Sequence, residues 1–256
     1  MLVEIFVFIL GTIIGSFLNV VILRYNTGES IINNRSRCFS CGKKLEWYEL
    51  IPIISFLIQT GKCRKCKSKI SWQYPIVELL TGFLFLAIFL KSGYSLITGY
   101  WLLVISLLIV IAVYDLYHQI IPDSLVYIFD ILTFLNLFQI SRLASEQASF
   151  KFQVSSFLAG LLFFVFFGSL WLVSHGKWMG LGDAKLSLGI SWLLGVFKGI
   201  LALLLSFWTG ALVGIFLLFF FKKEYNLKSR IPFGPFLVLG IIIAFLFGDV
   251  IIKLIV

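Results

Sequence analysis

Two groups of residues in this sequence have types and spacings that do chemistry. Cys38-Phe-Ser-Cys41 and Cys63-Arg-Lys-Cys66 are two C-x2-C pairs separated by 21 residues, and they hold all four cysteines of the chain. This is close to the spacing of a four-thiolate tetrahedral zinc site, in which each pair supplies two sulfurs from one tight turn. Two disulfides or four buried thiols are the alternatives, and a cytosolic location disfavours the disulfides. A closed four-cysteine site has no open coordination position, so its zinc would build a small domain rather than catalyse. The second group is carboxylic. Glu4, Glu78, Asp115, Asp123, Asp130, Asp183 and Asp249 lie in or beside apolar stretches, where exposing a charge to hydrocarbon costs several kcal/mol and an acid is a functional candidate by default.

Asp115 and Asp183 have the most telling surroundings: Ala112-Val-Tyr-Asp115-Leu-Tyr-His-Gln-Ile-Ile-Pro122-Asp123 and Met179-Gly-Leu-Gly-Asp183-Ala-Lys185. Two carboxylates sharing one proton form an aspartic-protease dyad. One, ionised, activates water while the other, protonated, polarises the scissile carbonyl, and the pair titrates as a unit. Gly180 and Gly182 remove side chains beside Asp183, which allows close approach of an extended substrate backbone. A G-x-G-D string alone is a weak signal, and capping a helix N-terminus is the competing role for both Asp183 and Asp123. Glu78 is a candidate contact for a substrate leader or for the cysteine segment, with a pair to a nearby Lys or Arg an equal competitor. Lys185 is a candidate to steady Asp183 or to contact substrate.

The elements that must position these groups are membrane spans. Of 256 residues, 60% are hydrophobic and 13% charged, with a mean hydropathy of +1.04, far from the composition of a soluble domain. A multi-domain soluble enzyme is excluded. Apolar stretches at 1–23, 75–91, 96–114, 121–140, 153–174, 184–198, 199–221 and 235–252 predict eight spans, or seven if the sixth and seventh are one. The first is too long for a signal peptide and lacks a small-residue cleavage site, so it reads as a retained span. The fold class expected is an all-α polytopic membrane protein with a small zinc-bound cytoplasmic insert. Its parts are a first helix at 1–23, the cysteine insert at 24–74 and a membrane core at 75–256.

Charge orients it. Arg24 to Tyr74 holds ten of the 21 cations against three acids, so the positive-inside rule puts this insert in the cytoplasm and the N-terminus outside. Alternation makes the loops at 115–121, 175–183 and 222–234 cytoplasmic too, adding Lys177, Lys185, Lys222, Lys223, Lys228 and Arg230. The net charge of +9 is then a topological signal and calls for no nucleic-acid partner. Short outer loops, near Lys91 to Ser95 and Ser141 to Gln153, leave little room for chemistry outside.

The ordered set of motifs resembles the type IV prepilin peptidases, membrane aspartic peptidases of the GxGD class. The residues that carry the likeness are Gly15-Ser-Phe-Leu-Asn-Val-Val-Ile-Leu-Arg24, Gly28-Glu-Ser-Ile, Arg35-Ser-Arg-Cys38 and Glu49-Leu-Ile-Pro52-Ile-Ile-Ser55. Gly61-Lys-Cys63-Arg-Lys-Cys66, Ile70-Ser-Trp-Gln-Tyr74-Pro75 and Glu78-Leu-Leu-Thr81 follow, and then the two aspartate motifs. The resemblance implies that Asp115 and Asp183 are the catalytic pair. It implies that the substrates are prepilins or pseudopilins, cut at the cytoplasmic face of the bacterial inner membrane after a glycine that ends a short basic leader. It also implies, for a subset of the family, methylation of the new N-terminal amine with S-adenosylmethionine; no Gly-rich strand-to-helix loop marks where that cofactor would bind. The competing classes are an ion- or proton-coupled transporter with the cysteine module as sensor, which the absence of an internal repeat disfavours, and a zinc-dependent scaffold.

Overall fold

The computed structural model of the protein describes residues 2–140, 146–221, 229 and 231–255. Lys222, Lys223, Lys228 and Arg230, which the charge argument counted as cytoplasmic, lie outside the described residues. Those described are almost wholly helical, with no strand beyond two isolated bridges. The helices are α1 (Leu2–Arg24), α2 (Ile54–Ile58), α3 (Gln73–Ser92), α4 (Leu96–His118), α5 (Asp123–Ile140), α6 (Glu146–Ser174), α7 (Leu181–Leu194), α8 (Val196–Phe220) and α9 (Gly234–Ile255), with one 3-10 turn at Trp47–Glu49.

Each of the eight apolar stretches forms a helix, with local stop signals deciding the ends. α4 ends at His118, where Gln119 turns left-handed at φ 52°, three residues before Pro122. Gly195, at φ 79°, separates α7 from α8, a conformation that a side chain would strain. It resolves the sixth and seventh stretches, with the break earlier than the expected 198/199. The outer loop expected at Ser141 to Gln153 is helical from Glu146 onward, its first five residues lying outside those described.

Among the described residues, six helices are long and apolar enough to cross a membrane: α1, α3, α4, α8, and the parts of α6 and α9 at Lys151–Ser174 and Gly234–Leu254. The chain is a multi-pass membrane protein. α5, another of the expected eight, has 18 residues. α7 has 14, about 21 Å at 1.5 Å per residue, short of a hydrocarbon core about 30 Å thick.

The chain divides into two compact units, Met1–Val110 and Ile111–Val256, with the boundary inside α4. In the first, α1 packs along α3. Their backbones meet at Gly11, Gly15 and Gly82, where an added Cβ would come within 2.8 Å of the opposite helix or its side chains. Small residues permit this closeness, and close packing is what associates helices in lipid. At the end of that seam the fully buried Asn19 donates to the carbonyls of Gly15 and Tyr74, both at 3.2 Å, and accepts from Gln73 Nε2 at 3.3 Å.

In the second unit α7 is central, packed on α5, α6, α8 and α9. Ala184, Leu186, Ser187, Ile190 and Ser191 have no exposed surface. Surrounded by longer helices, this short helix supplies a protected place for a polar group at its end, which lipid contact would not.

Candidate active site and metal centre

The insert is built from two copies of one turn. In the first, Cys38 N–H donates to Lys43 O and Gly42 N–H to Cys38 O, both at 2.9 Å. In the second, Cys63 N–H donates to Ser68 O and Lys67 N–H to Cys63 O, again at 2.9 Å. Arg37 pairs with Lys44 and Lys62 with Lys69 across the bases of the two hairpins. The residue four after each leading cysteine is left-handed, Gly42 at φ 69° and Lys67 at φ 58°. The first turn uses glycine for this; the second holds a lysine there against its preference.

The turns face one another so that the four sulfurs all lie within 4.8 Å of one another. Cys38 and Cys66 Sγ are 3.8 Å apart, close to the roughly 3.8 Å that tetrahedral Zn–S bonds of about 2.3 Å imply and far beyond a disulfide. All four are free thiols. The Cys41 amide beside Cys38 holds that thiol down at about 6, and the Ser68 hydroxyl and amide lower Cys66. Both shifts favour the thiolate, the form that binds metal, while Cys41, lowered by the Lys43 amide, is pushed up overall to about 11 by burial and its neighbouring thiols. It is the geometry of the four sulfurs that fits a metal ion.

Glu49 ties the two turns together. Its carboxylate is buried, accepts from Lys43 Nζ at 2.9 and 3.0 Å and from the Glu46 amide at 3.0 Å, and lies 4.0 Å from Arg64 Nε. Lys43 follows the first cysteine pair and Arg64 sits inside the second. Arg24, closing α1, holds the approach to the first turn by donating to the carbonyls of Ser30 and Asn34 at 2.9 and 2.8 Å.

Glu78 belongs to this half of the protein. On α3, its Oε2 accepts the Ile53 amide at 2.8 Å. Ile53 is at φ 62°, ψ −54°, and Ile54 N–H closes back onto Pro52 O at 2.5 Å: a γ-turn of the rare, strained hand. For a β-branched residue that conformation is an outlier. The contact with the cysteine segment expected for Glu78 is thus present.

The second unit assembles the aspartates. Asp115 lies inside the last turn of α4, which runs on to His118, and is 4% exposed. Its Oδ2 accepts the N–H of Gly234, the first residue of α9, at 3.0 Å. Asp183 is the third residue of α7, which starts three residues earlier than the apolar run suggested, so it does not occupy the cap position. Its Oδ2 reaches back to the Gly180 amide at 3.1 Å, the return half of a capping box. It is 7% exposed, and its Oδ1 is buried without a hydrogen-bond partner. Each carboxylate thus faces a helix N-terminus, α9 for Asp115 and α7 for Asp183, where free amides and the helix dipole favour negative charge. The two are near enough for the charge of Asp115 to act on Asp183.

Ile121 sets the closeness of these parts. A Cβ on Gly182 would come 2.7 Å from Ile121 Cβ, and one on Gly234 would come 3.2 Å from Ile121 Cδ1 and 2.7 Å from Asp115 Oδ2. The absence of side chains at these two glycines lets α7 and α9 approach the α4–α5 corner. Gly182 was a candidate from sequence, but Gly234 was not. Its signal was the Pro232-Phe-Gly-Pro235 string, a strong turn marker directly before the last apolar run.

Lys185 meets Asp123 Oδ1 at 2.7 Å and Tyr127 OH at 3.0 Å. Asp130, one of the acids in apolar surroundings, packs against Gly189 of α7, and its buried Oδ1 has no hydrogen-bond partner.

Comparison with known proteins finds two matched regions in this chain. Residues 9–92 match the Bacterial Peptidase A24 N-terminal domain and residues 102–215 the Type IV leader peptidase family. The chain is 37% identical over 246 residues to a prepilin leader peptidase/N-methyltransferase of Bacillus subtilis (strain 168), covering 96% of this chain and 95% of that one. It is 33% identical to one of Stutzerimonas stutzeri, over 94% of this chain and 89% of that protein. It is 31% identical to one of Vibrio cholerae serotype O1, over 93% and 94%. No solved structure matches. By its two matched regions and by likeness to these relatives along nearly its whole length, this chain belongs to the type IV leader peptidase family.

Proposed function

We propose that this protein is an aspartic endopeptidase of the membrane that processes prepilins or pseudopilins, with Asp115 and Asp183 as its catalytic pair. The observation that carries this reading is the convergence of the two buried carboxylates at the end of α4 and the N-termini of α7 and α9. The transporter alternative is not supported by the family to which the chain belongs.

In this reading one aspartate, ionised, takes a proton from water, and the oxygen attacks the scissile carbonyl. The other, protonated, donates to the carbonyl oxygen as it gains charge. Collapse of the tetrahedral intermediate breaks the C–N bond, and the proton taken from water passes to the leaving amine. The unpartnered Oδ1 of Asp183 supports a place for water or substrate there. Gly180 leaves room for an extended backbone beside it, whereas the space that Gly182 was expected to open is taken by Ile121; the substrate must be extended, because a helix protects its own carbonyls. A glycine before the cleaved bond makes that unwinding easier.

The positive-inside rule supports a cytoplasmic insert and a cytoplasmic active site, in a multi-pass protein of the bacterial inner membrane with its N-terminus outside. The substrate's apolar helix would then enter from lipid while its basic leader stays at that face. Zinc is the ion the four-thiolate geometry fits best. Cys38, Cys41, Cys63 and Cys66 would hold it, filling its coordination sphere, so it organises the insert at 24–74 and takes no part in hydrolysis. The names of the relatives support N-methylation after cleavage, with S-adenosylmethionine as donor. Among the described residues no Gly-rich strand-to-helix turn of the nucleotide-binding kind is present.

The test is cleavage of a prepilin-like peptide by purified protein in detergent, comparing the unaltered chain with Asp115→Asn and Asp183→Asn. Each substitution keeps shape and removes ionisation. Loss of cleavage in both, with fold and metal content retained, is expected. Full activity in either removes that residue from the mechanism.

A further inference from the structure

The ties between α5 and α7 involve neither the metal centre nor the aspartate pair directly. Lys185 Nζ lies 2.7 Å from Asp123 Oδ1, 3.0 Å from Tyr127 OH and 4.9 Å from the centre of the Tyr127 ring. The lysine side chain is only 15% exposed although its acidic partner is 63% exposed. Asp123 and Tyr127 are four residues apart on α5 and so lie on one face. Asp130, three residues further, is also near enough for its charge to act on Lys185. The ammonium is therefore surrounded from α5 and has two of its three protons engaged.

On α7, Lys185 follows Asp183 by two residues. At 3.6 residues per turn these side chains leave the helix roughly 200° apart. Lys185 grips α7 from the side away from the one that presents Asp183, in the same first turn and a half. A leader contact would need this ammonium free on the substrate's side.

We propose that Lys185 is a positioning residue. Its ties to Asp123 and Tyr127 fix the rotation and height of the first turns of α7 against α5, and through them the aim of the Asp183 carboxylate. This rests on the reading of Asp183 as catalytic. Asp123 belongs to the same device: opening α5 just after Ile121 and Pro122, it couples α7 to the corner on which Gly182 and Gly234 pack. The bridge is partly exposed and adds little to global stability, whereas a small misplacement of a reacting group costs large factors in rate.

The experiment is steady-state cleavage of a prepilin-like peptide by the full chain in detergent, with Asp123→Asn, Lys185→Met and the double variant, alongside Asp183→Asn. Both single variants are expected to lower kcat by about tenfold or more with KM within about twofold, and the double variant to be no slower than the slower single one. A raised KM with unchanged kcat in Lys185→Met would make the lysine a substrate contact and overturn the proposal, as would an Asp123→Asn enzyme as fast as the unaltered one. Losses that multiply in the double variant would also overturn it. If Lys185→Met does not fold, Asp123→Asn, at an exposed side chain, decides alone. An active Asp183→Asn enzyme would instead show that the catalytic reading had failed, and the positioning role with it.

Discussion

The backbone N–H of Gly234 donates to Asp115 Oδ2 at 3.0 Å across 119 positions of sequence, and the same glycine leaves no room for a side chain, since a Cβ would stand 2.7 Å from that oxygen. One residue thus supplies the donor, the clearance and the N-terminus of α9 to Asp115. The arrangement gives the carboxylate a fixed direction with a backbone amide as donor.

Gly234→Ala is expected to push the Asp115 carboxylate aside and lower kcat by about tenfold to a hundredfold. Gly210→Ala is the control, because a Cβ there meets its nearest neighbour at an ordinary 3.5 Å. Equal cleavage rates for the two variants would show that the contact does not aim Asp115.

Replacing Cys63, the most buried of the four cysteines, by serine should remove the metal. Elemental analysis is expected to fall from about one zinc per chain to none, since structural zinc contributes on the order of 10 kcal/mol to such modules. Trypsin should then cut within the Lys- and Arg-rich insert, which metal-loaded protein resists. A chain that never holds zinc, yet resists trypsin equally, would show that the insert folds without metal.

Glu49 gives the insert a pH dependence with a definite sign. Burial pushes its carboxyl up, but the Glu46 amide and the Lys43 ammonium outweigh this and hold it below the usual carboxylate range. A group whose folded value is lowered stabilises above its unfolded pKa, about 4.3 for glutamate, and loses that contribution as pH falls through the folded value. Glu49→Gln should therefore release zinc to a chelator faster than the unaltered chain at pH 7, with the difference closing in acid below about pH 4. A difference that is constant with pH would mean that the charge of Glu49 is not the cause.

Glu78→Ala would leave the Ile53 amide unpaired and the strained turn unsupported. The expected result is a loosened insert, read as faster amide exchange around Pro52 to Phe56, whereas Glu78→Gln keeps an acceptor and should stay close to the unaltered protein. Equal exchange in both variants and the unaltered chain would remove Glu78 from this role. A raised KM in Glu78→Gln, with exchange unchanged, would restore it as a contact for the basic leader.

Local pattern and composition, without tertiary structure, determined that this chain is a helical membrane protein, where its helices fall, and that its four cysteines form one site. Apolar runs long enough to span a bilayer have few alternatives to helix, because backbone polar groups in lipid must be satisfied internally. Two C-x2-C turns bring their own geometry, and the bridges at Arg37–Lys44 and Lys62–Lys69 are local. The aspartate pair was legible as chemistry: two acids at helix ends, one flanked by glycines. Only the tertiary structure decided what surrounds them. That Gly234 rather than a nearer residue meets Asp115, that Lys185 turns to Asp123, and that Glu78 supports Ile53 are contacts over 119, 62 and 25 positions. No local rule encodes them, because they depend on which helices pack together and at what rotation. The helix ends shifted for the same reason. α4 runs past Asp115 and α7 begins before Asp183 because polar groups in those turns find partners in the folded protein that a hydropathy pattern does not contain.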